Sequence, residues 1–174
     1  MTSFDRAMRF VLRWEGGYTH DEADPGGETY CGISRVNHPD WPGWAELDAH
    51  DIDHLVPIDM VKDFYRAEFW SPLRCDDMPG NVATALFDTA VNCGKSRAAR
   101  WLQGAVGVVR DGSIGPKTVA VVNASPDEAI RGLIASREEH YAVIVAKNAK
   151  LRKFMKGWQN RVDALKQEIR ASKF

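Results

Sequence analysis

Cysteine is scarce: only Cys31, Cys75 and Cys93 occur, an odd and widely spaced set among 174 residues. Such a set excludes a disulfide framework and fits no zinc-ligand spacing, so structural or incidental reduced thiols are expected. Net charge is nearly absent as well. The 23 Lys and Arg against 24 Asp and Glu leave −1, far from the basic footprint of a dedicated nucleic-acid binder. No uninterrupted apolar run approaches the ~18 residues of a membrane span. The opening residues MTSFDRAMRFVLR carry Asp5, Arg6, Arg9 and Arg13, so they lack the apolar stretch of a secretory signal, and synthesis into the cytoplasm is expected. The histidines His20, His38, His50, His54 and His140 form no HExxH pair, which argues against a zinc hydrolase. The acidic group Asp21, Glu22 and Asp24 lacks the spacing of an EF-hand loop and reads as a solvated charge cluster. Neither a metal nor another cofactor is expected.

What is present suits one domain with its own core, since a chain of this length buries roughly 70% of its unfolded surface. Phe4, Ala7, Met8, Val11 and Leu12 fall at helical spacing behind a cap at Ser3, and the helix should stop at Gly16-Gly17. From Tyr18 to Ile33 that period is lost around DPGGET, which predicts a small hairpin or three-stranded sheet. Residues 36–56, with Pro39 and Pro42 beside Trp41 and Trp44, read as a loop or a set of turns. Helices are then predicted from Pro57 to Ser71-Pro72, from Val82 to Cys93, from about Ser96 to Gly107, from Ser125-Pro126 onward, and from about Arg152 to Ser172. DGSIGPKT, Asp111 to Thr118, reads as a packing turn that feeds a helix. Six tryptophans either line a groove or fill the core. The class is mainly α with a small β element.

Glu15 is an ionisable residue on the apolar face and at the carboxyl end of the first helix. Burial and the negative end of the helix dipole both oppose a carboxylate there, so this acid is expected to hold its proton to a higher pH than usual, as a proton donor near neutrality must. A hairpin after it could set Asp24, Thr29 or Tyr30 on the opposite side of a cleft. Two polar groups across a cleft, one protonating the leaving oxygen and one positioning water or acting as nucleophile, are the requirement of glycoside hydrolysis. Asp-Pro-Gly-Gly is also a common turn, which leaves a structural role open for Asp24. Asn92, Tyr141 and Asn160, with Arg137 and Arg161, could reach sugar hydroxyls from the later helices, or could serve helix pairing. Tyr18 and Tyr30 flank the β segment and are candidate sugar contacts.

The runs WEGGY and DPGGETYCGIS, followed by YRAEFWSPLRCDDMPGNVATALFDTAVNCG, AARWLQ and DGSIGPKT, resemble glycoside hydrolase family 108, the N-acetylmuramidases found among phage endolysins and related bacterial proteins. The similarity runs from Phe4 to about Leu165, and its last part resembles the family's peptidoglycan-binding type 3 region. It implies a lysozyme-like fold, with a catalytic region over 1–95 and a helical peptidoglycan-binding region over 96–174 packed into one compact domain. It implies Glu15 as the catalytic acid, and it makes Asp24 and Thr29 similar to the second and third members of the Glu, Asp, Thr triad of phage lysozymes. Four residues separate Asp24 from Thr29 where that triad usually has five, so Thr29 and Tyr30 both remain candidates for positioning water.

The implied activity is cleavage of the β-1,4 bond between N-acetylmuramic acid and N-acetylglucosamine, with inversion. The alternatives are a lytic transglycosylase, which uses the sugar's own hydroxyl in place of water, and a non-catalytic wall-binding or secretion-accessory protein. The implied partner is the peptidoglycan glycan strand, met by a monomer without nucleic acid or membrane insertion. An endolysin of this kind would wait in the bacterial cytoplasm until a separate holin opened the way to the wall.

Overall fold

The computed structural model of the chain describes residues 1–20, 27–50 and 56–171. Helix α1, Ser3–Glu15, buries Phe4, Ala7, Met8, Phe10 and Val11 on the face that its sequence period marks out. Its cap is Thr2 and not Ser3: the Thr2 hydroxyl accepts from the Asp5 backbone N–H at 3.1 Å, and the Asp5 carboxylate accepts from the Thr2 backbone N–H at 3.2 Å. That reciprocal pair satisfies two otherwise unpaired donors, which a cap one residue later could not do with Asp5. At the other end Gly16 has φ 71° and ψ −170°. This is a positive φ with an extended ψ, a region open essentially to glycine alone, and it stops the helix at the Gly16-Gly17 pair as the sequence predicts.

The chain then forms a three-stranded antiparallel sheet in the order β1 (Tyr18–His20), β2 (Glu28–Tyr30) and β3 (Ile33–Ser34). Tyr18 pairs with Tyr30, Thr19 with Thr29, and Thr29 with Ser34. Because side chains alternate along a strand, Tyr30 and Ile33 turn into the core while Thr29 faces the other way. The segment 36–56, read from its sequence as turns, contains α2, Gly43–Ala49. Its seven residues are too few to display a helical period, yet Trp44 and Leu47, three apart, are both buried.

Helix α3, Ile58–Tyr65, runs on through a π-helical turn, Arg66–Trp70, before the chain breaks at Ser71-Pro72. Helix α4, Gly80–Cys93, is the centre of the molecule, with every side chain from Val82 to Ala90 buried. Around it pack α1, α5 (Lys95–Ala105), α7 (Pro126–Lys147) and α8 (Met155–Ala171), with α6 (Pro116–Ala124) on the outside of α7. The close approach of α5 to α7 depends on Gly132, where a Cβ would meet that of Ala105 at 2.4 Å. A 3-10 segment, Ala149–Phe154, takes the start of the predicted last helix.

The DGSIGPKT turn is sewn to α5 by the buried Gln103. Its side chain donates to Asp111 at 2.7 Å and to the Ser113 carbonyl at 3.0 Å, and accepts from the Gly112 N–H at 2.9 Å. The tryptophans divide: Trp41, Trp44 and Trp70 are core, Trp101 and Trp158 are half-buried, and Trp14 is exposed beside Phe10. The fold is mainly α and lysozyme-like, with one small sheet directly after the first helix. Among the described residues no helix is long and apolar enough to cross a membrane.

Candidate active site

Glu15 closes α1 where that helix meets the sheet, and its side chain is 18% exposed. The turn between β2 and β3 rests on it. Gly32, with φ 82°, comes so close that a Cβ there would lie 2.8 Å from Glu15 Oε2 and 2.6 Å from the Tyr65 hydroxyl. Tyr65 is buried at the end of α3 and donates its hydroxyl to the Cys31 carbonyl at 2.8 Å. Burial, and next the Glu15 charge, push the Tyr65 phenol well above its ordinary range, so it remains a neutral donor. The same two causes raise the Cys31 thiol.

The other carboxyl oxygen faces a cation. Arg161 Nη1 lies 2.8 Å from Glu15 Oε1, an ionic contact without the alignment of a good hydrogen bond. Arg161 is itself fixed from behind: its Nε and Nη2 donate to Asp88 Oδ1 at 2.9 and 2.7 Å. Asp88, in the middle of α4, has no exposure, and its second oxygen accepts from Arg137 Nη1 at 2.6 Å. Arg137 Nε donates to the Tyr141 hydroxyl at 2.7 Å, and that hydroxyl donates to Asn92 Oδ1 at 2.5 Å. An alternating row of charges, Glu15, Arg161, Asp88 and Arg137, thus crosses the protein beneath the site. Burial works against both guanidinium charges, and the Asp88 carboxylate more than restores them. Two carboxylates and two guanidiniums compensate one another, which is the condition for charges to sit in a core.

The candidate residues now separate. Thr29, half-buried on β2, directs its hydroxyl toward the Gly27 carbonyl at 3.4 Å, on the strand face away from the core. Tyr30 stacks on Trp41 at 6.1 Å and is buried, so its ring belongs to the core. Tyr18 is half-buried, its phenol raised by burial and next by the nearby Glu28. Asn92 and Tyr141 are joined to one another, and Tyr141 is buried and stacked on Trp158 at 4.9 Å, so its hydroxyl serves the network rather than an open cleft. Asn160 is exposed on α8. Arg137 is buried and pairs with Asp88, and Arg161, also buried, pairs with Asp88 and Glu15. Asp24 lies outside the described residues, as do Asp21 and Glu22. Among the described residues no group of histidine, cysteine and acidic side chains could hold a metal ion.

Sequence reasoning missed Tyr65, Gly32 and Asp88. Only Asp88 carried a local signal, a carboxylate in the otherwise apolar and small run ATALFDTAV.

Residues 8–94, which hold Glu15, the sheet and all of α4, match the family Glycosyl hydrolase 108. Residues 97–163 match a family described as Predicted Peptidoglycan domain. Among solved structures, one titled Structure of Brucella abortus SagA is 33% identical, with a TM-score of 0.77, covering 99% of this chain and 97% of that one. No curated protein sequence matches. The chain belongs to the glycosyl hydrolase 108 family and is a glycoside hydrolase of peptidoglycan, with a peptidoglycan domain following its hydrolase region.

Proposed function

We propose that the chain is an N-acetylmuramidase that hydrolyses the β-1,4 bond between N-acetylmuramic acid and N-acetylglucosamine. The observation that carries this reading is the placing of Glu15: a mostly buried carboxyl at the junction of α1 and the sheet, braced by Arg161 on one oxygen and by the Gly32 turn beside the other. A carboxyl so fixed is ordered before the substrate arrives, and once it has taken up a proton it can pass it to the glycosidic oxygen, which is where a positioned general acid gains its advantage. Thr29, on the outward face of the sheet, is the better placed of the two candidates for orienting water, because Tyr30 is committed to Trp41. Asp24 would act with it as the base, giving inversion.

The test is Glu15→Gln, which keeps the shape and removes the ionisable donor. Purified substituted protein should remain folded, with a melting temperature lowered by the loss of the Arg161 contact, and, assayed well below it, lose at least about 10²-fold in the rate of muropeptide release from sacculi. Mass spectrometry of wild-type products should show reducing-end muramic acid, and NMR of the fresh product should show the inverted anomer. Wild-type clearing by Glu15→Gln, or 1,6-anhydro products, would overturn the reading. The same proposal has the enzyme acting as a monomer that waits in the bacterial cytoplasm. Expression alone should then leave cells intact, and co-expression with a holin should lyse them.

A further inference from the structure

The network beneath Glu15 ends at a second feature, which lies on the opposite side of Asn92. Cys93 contacts Asn92 Oδ1 at 3.3 Å and the Tyr141 hydroxyl at 3.8 Å, and it also walls a surface groove of about 570 Å³ at the corner between α4 and α5. Lys95, Arg97, Arg100 and Arg110 line this groove with Trp101, and among the described residues no carboxylate does. Lys95 is balanced by Glu68 at 3.1 Å. Two of the three arginines are held by backbone carbonyls instead: Arg97 Nη1 donates to Cys93 O at 2.9 Å, and Arg110 Nε donates to Arg100 O at 3.2 Å. Asp111, beside Arg100, is turned to the Ser113 N–H and Gln103.

Three exposed guanidiniums are therefore gathered in one concavity, with the Asp111 charge felt by Arg100 and, among the described residues, no ion pair to Arg97, Arg100 or Arg110, on a protein whose net charge is −1. Like charges so placed repel one another, and a fold that keeps them together has an anion to receive. Their effect reaches the neighbours: burial, and next the Arg97 charge, lower the His140 imidazole, whose ring lies 5.4 Å from that of Trp101. Guanidiniums pair with planar oxyanions through two parallel hydrogen bonds, which suits them to carboxylates and phosphates.

We propose that this groove binds oxyanions carried by the cell wall, the peptide-stem carboxylates beside the bond being cut. The inference rests on the muramidase reading for its substrate and on the groove alone for its chemistry. Five residues of α4 separate Asp88 from Cys93, about 7.5 Å of helix rise. The stems of the wall glycan carry carboxylates, and a groove lined by guanidiniums complements that charge. The groove supplies the attraction to an anionic wall that the near-neutral chain as a whole lacks.

The test is binding to purified sacculi by co-sedimentation, in a Glu15→Gln background so that the wall is not digested. Arg100→Gln with Arg110→Gln should weaken binding at low salt about tenfold, the loss of two charge-assisted contacts. The unsubstituted groove should lose its advantage above about 0.5 M salt, as exposed charges do. Sacculi stripped of stems by an amidase and sacculi stripped of phosphate polymers by hydrofluoric acid identify the source. If the difference between the proteins vanishes on the first, stem carboxylates are the ligand; if it vanishes only on the second, wall phosphates are, and the assignment to the stems is overturned. Equal binding of both proteins to intact sacculi, or a difference that survives both treatments, overturns the proposal. Should the double variant fail to fold, salt titration of the unsubstituted groove on the three wall preparations decides: salt-sensitive binding that removal of the stems abolishes supports the site, and salt-insensitive binding, or binding that survives that removal, refutes it. Because no step requires catalysis, a failure of Glu15 as the acid would leave this result readable.

Discussion

Replacing Asp88 by asparagine should be among the most damaging conservative changes in the chain. Asp88 accepts three charge-assisted hydrogen bonds, two from Arg161 and one from Arg137, all at 2.9 Å or less and with no exposure of its own. Asparagine fits the same space, but it carries no charge and presents an amide donor to one of the guanidiniums. One oxygen can still accept, so the loss is less than three full charged bonds and close to that of breaking a buried ion pair from one side, about 3–5 kcal/mol. For a chain of 174 residues each kcal/mol shifts the melting temperature by ~2–4 °C, so calorimetry should show a fall of roughly 6–20 °C.

A second step separates an unpaired charge from mere loss of packing. Arg137→Met alone leaves Asp88 with one guanidinium, and Asp88→Asn with Arg137→Met removes a charge of each sign. The double variant should be more stable than the sum of the two single losses predicts, by about 1–3 kcal/mol in a urea-denaturation cycle. Activity should fall as well, because Arg161 is aimed at Glu15 only while Asp88 holds its other edge. Assayed well below the lowered melting temperature, Asp88→Asn should release muropeptides more slowly than wild type, whereas in a Glu15→Gln background it should cost nothing further. A melting temperature lowered by under about 2 °C, or strict additivity in the cycle, would refute the assignment of these charges as one coupled unit.

Gly32→Ala combines two penalties: the φ of 82° costs a side-chain-bearing residue about 1–2 kcal/mol, and the new Cβ meets Tyr65 Oη and Glu15 Oε2 at 2.6 and 2.8 Å. Muropeptide release should drop more than the ~2–8 °C lower melting temperature accounts for, and unchanged kcat would refute the close approach. His140 titrates below its ordinary 6.5 because burial, and then Arg97, disfavour its charge. Below pH 6.5 the unfolded chain takes up a proton that the folded ring refuses, so this residue's stabilisation is complete above 6.5 and declines with pH until the folded ring is also protonated. Urea midpoints between pH 8 and pH 5 should fall less steeply for His140→Gln than for wild type, and parallel curves would refute the shift.

The helices and the small sheet were legible because amphipathic period and turn residues act locally: the α1 face is written in Phe4, Ala7, Met8 and Val11, and its end in Gly16. Glu15 was legible for the same reason, as a carboxyl at the end of an apolar stripe. Helix α2 was not, because seven residues around Pro42 leave the choice between turn and helix to the packing of Trp44 and Leu47. The bracing of Glu15 was hidden by distance along the chain. Asp88 meets Arg137 across 49 residues and Arg161 across 73, and no local pattern links them. Seen alone, Arg137 and Arg161 are polar residues on late helices, as apt for a sugar as for a core. The decisive hint lay on the other partner: in ATALFDTAV a carboxylate stands where every neighbour is apolar or small, and a charge that must be buried requires a counter-charge. Physical chemistry therefore demanded at least one inward arginine or lysine from elsewhere in the chain, while only the folded geometry could show that two answer and that one of them continues to Glu15.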